Sequence, residues 1–307
     1  MPDNQIHLDH IAIAVTNIER SKEFYKNLLR LEVADPISLR DQSAGLKYGH
    51  ALVSHGPRIV KDLLIRSQPG AVQQMYTDIC YCSIAQGRSH LILVQQTHPE
   101  KGYTRSVTGH TLYGFSCLLS PTVDTDDLGW DLSIADIPFQ HGDMRSDGTI
   151  FSQNNTIHSL YIQEPDGRYI ELTPIGDKAS DNYITDTGHV VLYVNDIRKS
   201  INFYKDELSL ADITPGHISK DPWKTRVAWL GVPEGSDPVI ILMEVIQPDG
   251  TKIKAEGYGL DHYALSGVRP LGKGVQNPEC IRRHEPDEKK SSSVWFKDPD
   301  GYYIECI

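Results

Sequence analysis

Asp9 to Tyr25 reads DHIAIAVTNIERSKEFY, and Gly188 to Tyr204 reads GHVVLYVNDIRKSINFY. The two align without a gap. In each, a His opens an apolar strand, an Asn or an Asn-Asp pair ends it, and a helix carrying Phe-Tyr follows, so His10 precedes Tyr25 at the spacing by which His189 precedes Tyr204. Internal similarity at fixed spacing marks a repeat of structure and not merely of composition. Strand alternation puts His10, Ala12 and Ala14 on one face of the first copy and Ile11, Ile13 and Val15 on the other. The bulky face predicts a covering helix that starts after an Asn17 N-cap and carries Phe24, Tyr25, Leu28, Leu29 and Leu31 at helical spacing. The His face is left small-walled.

Outward from these copies, two more His-led strands are predicted, at Gly109 to Ser120 (GHTLYGFSCLLS) and Asp261 to Gly267 (DHYALSG). Two hairpins with Pro-Asp-Gly turns follow them, HSLYIQEPDGRYIELTP at His158 to Pro174 and SVWFKDPDGYYIECI at Ser293 to Ile307. Gly167 precedes Glu171 as Gly301 precedes Glu305. Further strands are expected at Ser89 to Gln96, Arg226 to Leu230 and Val239 to Val245, and further helices at Thr125 to Ile134 and over 197–210. The chain therefore reads as α+β, four strand-helix-strands units in two pairs. The first half is expected over 1–175 with an insertion in about 40–88, a polar linker over 176–187, and the second half over 188–307.

The 307 residues carry a net charge of -11 and no Lys/Arg run longer than a pair of neighbours, which argues against nucleic acid or an acidic membrane surface as partner. The five Cys (80, 82, 117, 280 and 306) are an odd set without a double CxxC, and Cys80-Tyr81-Cys82 is too tight for a routine bridge, so a reducing compartment is expected. The first residues have neither a basic start nor an apolar core, and VIILM at 239–243 is too short to span a bilayer; a soluble, cytoplasmic protein is the expectation.

Each half supplies a His at the start of two leading strands and a Glu near the end of its last one: His10, His110 and Glu171, then His189, His262 and Glu305. Two imidazoles and a carboxylate form the facial set that suits non-haem Fe(II). A single strand-end His is more often a hydrogen-bonded core or surface residue than a ligand. Six such residues at equivalent places in four repeated units point to a metal.

Through DHIAIAV, GHVVLYV with its FYK helix, and the two Pro-Asp-Gly hairpins ending in Glu, the chain resembles the vicinal oxygen chelate superfamily over nearly its whole length. That superfamily includes glyoxalase I, methylmalonyl-CoA epimerase, bleomycin- and fosfomycin-resistance proteins and type I extradiol dioxygenases. The resemblance implies βαβββ modules paired into half-open barrels around a divalent metal, Fe(II) favoured, with Mn, Co, Ni or Zn also compatible. It implies a small-molecule substrate that chelates through vicinal oxygens, and it leaves room for a homodimer. The leading expectation is an extradiol-type dioxygenase acting on an aromatic or enolic diol, because Tyr161 stands ten residues before Glu171 where those enzymes place a substrate-binding tyrosine. Trp295 holds the equivalent place before Glu305. The family's acid-base histidine is not visible as a His-His pair, and His141, His158, His217 and His284 are candidates by proximity in sequence. A metal-dependent lyase or isomerase is the alternative, with Glu244 or Gln95 as a fourth ligand and Glu244 as a catalytic carboxylate; a ligand-sequestering protein is a further one. Pairing could also be crossed, first module with fourth and second with third, which would group His10 with His262 and Glu305, and His110 and Glu171 with His189 and Glu244.

Overall fold

The computed structural model describes residues 6–35, 37–38, 76–84, 89–96, 113–141, 159–173, 183–214, 226–233, 235, 237–246, 249–250, 260–268 and 294–307. In chain order the strands are β1 (His7–Val15), β2 (Glu32–Val33), β3 (Ile37–Ser38), β4 (Tyr76–Ser83), β5 (His90–Gln96), β6 (Tyr113–Leu119), β7 (Phe139–His141) and β8 (Leu160–Gln163). They continue as β9 (Tyr169–Thr173), β10 (Ile184–Tyr193), β11 (Ala211–Asp212), β12 (Arg226–Gly231), β13 (Pro238–Glu244), β14 (Leu260–Ser266), β15 (Val294–Lys297) and β16 (Tyr303–Cys306). The helices are α1 (Ile18–Glu23), extended by a π turn (Phe24–Leu28), α2 (Thr125–Ile134) and α3 (Ile197–Leu208).

The repeat is one of structure. Asn17 caps α1 by accepting from the Arg20 amide, and Asp196 caps α3 by accepting from the Arg198 and Lys199 amides. Tyr25 and Tyr204 are fully buried, and each stands edge-on to the Phe before it with ring centroids 5.2 Å apart. Ile11, Ile13 and Val15 join them in the main core, as do Val190 and Leu192 from β10 and Val194 just after it.

Among the described residues the strands form two eight-stranded sheets. Sheet A runs β15-β16-β14-β1-β5-β4-β2, with β3 also on β4, and sheet B runs β11-β12-β13-β10-β6-β9-β8-β7. Module pairing is thus the crossed one. Sheet A joins the first unit to the fourth through antiparallel β1 and β14, and sheet B joins the third to the second through antiparallel β10 and β6. The division into 1–175 and 188–307 does not coincide with the sheets, and the stretch expected as a linker ends in strand from Ile184. A repeat identifies the units but not which of them pair.

The Pro-Asp-Gly hairpins bind the sheets to each other. From sheet B, Asp166 accepts from the Thr16 amide at 3.1 Å and from Arg20 at 2.7 Å, while Arg168 donates to the Ala14 carbonyl at 2.6 Å. From sheet A, Asp300 accepts from the Asn195 amide at 3.0 Å and from its side chain at 2.6 Å, and the Tyr302 hydroxyl donates to the Tyr193 carbonyl at 3.0 Å. Each hairpin therefore grips the end of the other sheet's leading strand. Gly167 and Gly301 take φ of 87° and 100°, which favours glycine in the turn.

Behind the second hairpin, Asp298 is buried and accepts from the Asp300 and Tyr302 amides and from the Tyr204 hydroxyl. Burial raises its carboxyl, the nearby Asp300 charge adds to this, and the hydrogen bonds only partly offset them, so that it stands at about 6. With the folded value raised, stability is greatest below the unfolded value of 3.8 and is lost as pH rises through about 6, a change of about 3 kcal/mol. Asn at this position can accept both amides and donate to Tyr204. Denaturant melts at pH 4 and pH 7 should therefore show Asp298→Asn gaining on the wild type as pH rises, whereas equal slopes would contradict the ionisation argument.

Candidate metal centre

On sheet A, His10 lies opposite Ala264, and Ala264 lies beside Glu305 on β16. Residues paired across strands share a face, so His10 and Glu305 meet, with Nε2 3.8 Å from Oε2 and both side chains buried. Position 262 is paired with Ala12, two residues beyond His10, which places it on the same face of β14. The other ring nitrogen of His10, Nδ1, donates to Asp9 Oδ1 at 2.7 Å. Burial works to raise the Asp9 carboxyl, but the hydrogen bond from His10 and the fields of His10, His90 and His7 outweigh it and hold it below the usual range.

Sheet B repeats half of this. His189 Nε2 is 3.8 Å from Glu171 Oε2, and Ser116 lies between them, paired with Glu171 on β9 and hydrogen-bonded to His189 Nδ1 at 2.8 Å. Burial pushes the His189 imidazolium down to about 3, so the ring is neutral at ordinary pH. Val191, two residues beyond His189, is paired with Gly114. Gly114 therefore occupies the register place that His262 holds in sheet A, and a Cβ there would come within 2.7 Å of the Tyr169 carbonyl oxygen. His110, expected as the second imidazole, lies outside the described residues, as do His158, His217 and His284. His141 closes β7, at the edge of sheet B.

The register also corrects the fourth-ligand expectation. Met243 on β13 pairs with Tyr193, and Ile241 with Val191, on the His189 face. Glu244 follows Met243 and falls with Ile240 and Leu242 on the opposite face, where it is buried and paired with Arg226 at 3.3 Å. Gln95 pairs with Val15, also on the core face, and its Oε1 accepts from the Ile18 amide at 2.6 Å at the start of α1. The mirror positions of Glu305 and Glu171 are Ile92, paired with Ala12, and Ile241, paired with Val191. An apolar side chain thus stands in both fourth places.

Tyr161 pairs with Glu171 in sheet B, and Trp295 pairs with Glu305 in sheet A. Crossed pairing therefore keeps the tyrosine beside Glu171, as expected, but on the sheet of His189 and not on that of His10. In its stead the register brings up a residue that sequence reasoning missed. His90 is paired with His10 in parallel β5, on the same face, and its buried Nδ1 has no hydrogen-bond partner. The signal was its alternation with Ile92 and Val94 at the start of a strand that pairs with β1.

The donor set of sheet A fits a divalent ion. Two atoms that each stand about 2.1 Å from one ion lie roughly 3–4 Å apart, which matches the His10–Glu305 separation, and that separation is too long for a hydrogen bond. Among the described side chains, His10 and Glu305 are the matched pair and position 262 is on their face; in sheet B the matched pair is His189 and Glu171.

The chain is similar to glyoxalase I from Zea mays, at 15% identity and a TM-score of 0.57 over 98% of this chain and 92% of that one. It is also similar to a putative dioxygenase from Bacillus subtilis, at 11% identity and a TM-score of 0.54 over 99% of this chain and 85% of that one. At these identities the likeness is one of fold. No curated protein matches the chain. Among the described residues no helix is long and apolar enough to cross a membrane. The model of the Glyoxalase/Bleomycin resistance protein/Dioxygenase superfamily matches residues 7–172, and the chain belongs to that superfamily.

Proposed function

We propose that the concave face of sheet A is the working site of an extradiol-type dioxygenase, in which His10, His262 and Glu305 hold a divalent metal. The observation that carries this reading is the size of the donor set. With Ile92 in the fourth place and Gln95 turned to the start of α1, the proposed ligand set is His10, position 262 and Glu305, and His90 is a further imidazole on the same face. Such a set suits Fe(II) and leaves positions open for a bidentate substrate. When bound, the ion supplies Lewis acidity toward vicinal oxygens of an aromatic or enolic diol.

The remaining residues have separable tasks. Ala12, Ala14 and Ala264 leave room for a ring beside His10, while buried Ile92 and Val94 on the same face exclude water. His90, one strand from His10, is placed to take a proton from a substrate hydroxyl and return it later. Position 295, paired with Glu305 as Tyr161 is with Glu171, is a tryptophan and so has no phenol, and the proton transfer is assigned to the imidazole. An isomerase would need a second carboxylate near the substrate, and Ile92 stands where sheet A would supply it.

Oxygen dependence tests the reading. Turnover of a catechol-type substrate by the Fe(II)-loaded protein should stop under anaerobic conditions and resume when O2 is readmitted. An undiminished anaerobic rate would sink the dioxygenase assignment and favour an isomerase, and tight ligand uptake without product would favour sequestration.

A further inference from the structure

The two leading histidines are held by different partners, and the difference arises from an exchange of two residues. Along β1 and β14 the register jumps between Leu8, paired with Leu265, and His10, paired with Ala264. Asp9 is the extra residue. Along β10 and β6 it jumps between Thr187, paired with Cys117, and Val190, paired with Phe115, so Gly188 and His189 together face Ser116. In a bulge two residues oppose one, which interrupts strict alternation and lets neighbours such as Asp9 and His10 meet.

In sheet A the bulge residue carries the carboxylate and the facing residue, Ala264, carries no polar group. In sheet B the bulge residue is Gly188 and the facing residue is Ser116, whose Oγ accepts from the His189 amide at 2.9 Å and contacts Nδ1 at 2.8 Å. A Cβ on residue 188 would come within 2.2 Å of that Oγ. Either an acidic side chain on the bulge or a hydroxyl on the facing strand can reach Nδ1, but the space does not admit both.

The two partners differ in chemistry. An ionised carboxylate only accepts, so Asp9 keeps the proton on Nδ1 and leaves the lone pair on Nε2, toward Glu305. The Ser116 hydroxyl already accepts from an amide and can give its own proton to Nδ1, which leaves Nε2 protonated and facing Glu171. A carboxylate behind a ligating imidazole also raises its basicity.

We propose that Asp9 is a positioning residue that commits His10 to the ligand tautomer, and that the exchange of Asp9 and Ala264 for Gly188 and Ser116 directs the metal to sheet A. The inference rests on the reading of His10 as a metal ligand. Nothing in the spacing of the repeat separates the two histidines; their bulge partners do.

Co(II) binding to the full-length apoprotein tests it, followed by equilibrium dialysis and by the visible absorption of the bound ion. Asp9→Ala should weaken binding about 10- to 100-fold. Asp9→Asn keeps an acceptor without the charge and should fall between Ala and wild type, which separates positioning from mere space-filling. The double variant Asp9→Gly/Ala264→Ser installs the sheet B arrangement and should bind no better than Asp9→Ala. If Asp9→Ala fails to fold, Asp9→Asn, of the same size, decides alone: several-fold weaker binding supports the inference and unchanged binding overturns it. Wild-type affinity in both single variants, with binding abolished in His10→Ala, would overturn the role of Asp9 and leave the metal reading standing. Undiminished binding in His10→Ala would overturn the metal reading itself.

Discussion

His10→Ala should bind no metal, while His189→Ala should retain the wild-type content of one ion per chain. The asymmetry comes from register. His10 shares its face with position 262 and Glu305, whereas His189 shares its face with Glu171 and, in the place of the second imidazole, Gly114. Losing one imidazole from a set of three leaves a two-ligand remnant that cannot compete with water for a divalent ion. Metal analysis with stoichiometry on the purified proteins reads the result. Two ions in the wild type, falling to one in each variant, would mean that sheet B holds its own metal and would contradict the assignment. Loss from both variants together would mean a single site drawing on both sheets and would likewise contradict the assignment.

His90→Phe should lower kcat by about 10²- to 10⁴-fold with metal content unchanged, the range in which a positioned acid-base group acts. His90 stands one strand from His10 on the same face, and its buried Nδ1 has no hydrogen-bond partner. Phe preserves the bulk and removes both nitrogens, so packing on β5 is little altered. A pH–rate profile that loses a limb in the variant would identify the imidazole as the proton carrier. A variant with wild-type kcat would leave that task to another group.

Much of the fold is legible in the order of residues. The gapless repeat from His10 to Tyr25 and from His189 to Tyr204 locates two strand-helix units, and the Pro-Asp-Gly turns locate the closing hairpins, because both signals are local. The metal face is only partly so. Gly109-His110 resembles Gly188-His189 in letters, yet the residue set against Val191 is Gly114; which residue of an apolar strand meets its neighbour is decided by pairing with a strand far along the chain. Glu244 misleads for a smaller reason. It is one step past Met243, and one step along a strand is the difference between two faces. His90 could have been found by the same counting, since it alternates with Ile92 and Val94, but that takes on meaning only once β5 is known to lie beside β1.

The nested order of the modules bears on how the protein is made. Sheet B draws on 113–244, an uninterrupted span, while sheet A needs β1 from one side of that span and β14 to β16 from the other. On a ribosome, His10 emerges long before Glu305, so the two come together only after the whole span of sheet B has been made. The long closure this demands is cheap, since its entropic cost grows slowly with length. Sheet B can guide it, because the hairpin at Asp166 and Arg168 already holds the end of β1, and Tyr193 and Asn195 await Tyr302 and Asp300. A nascent chain stopped before residue 294 thus has a framework on which to finish but still lacks Glu305, the carboxylate that meets His10.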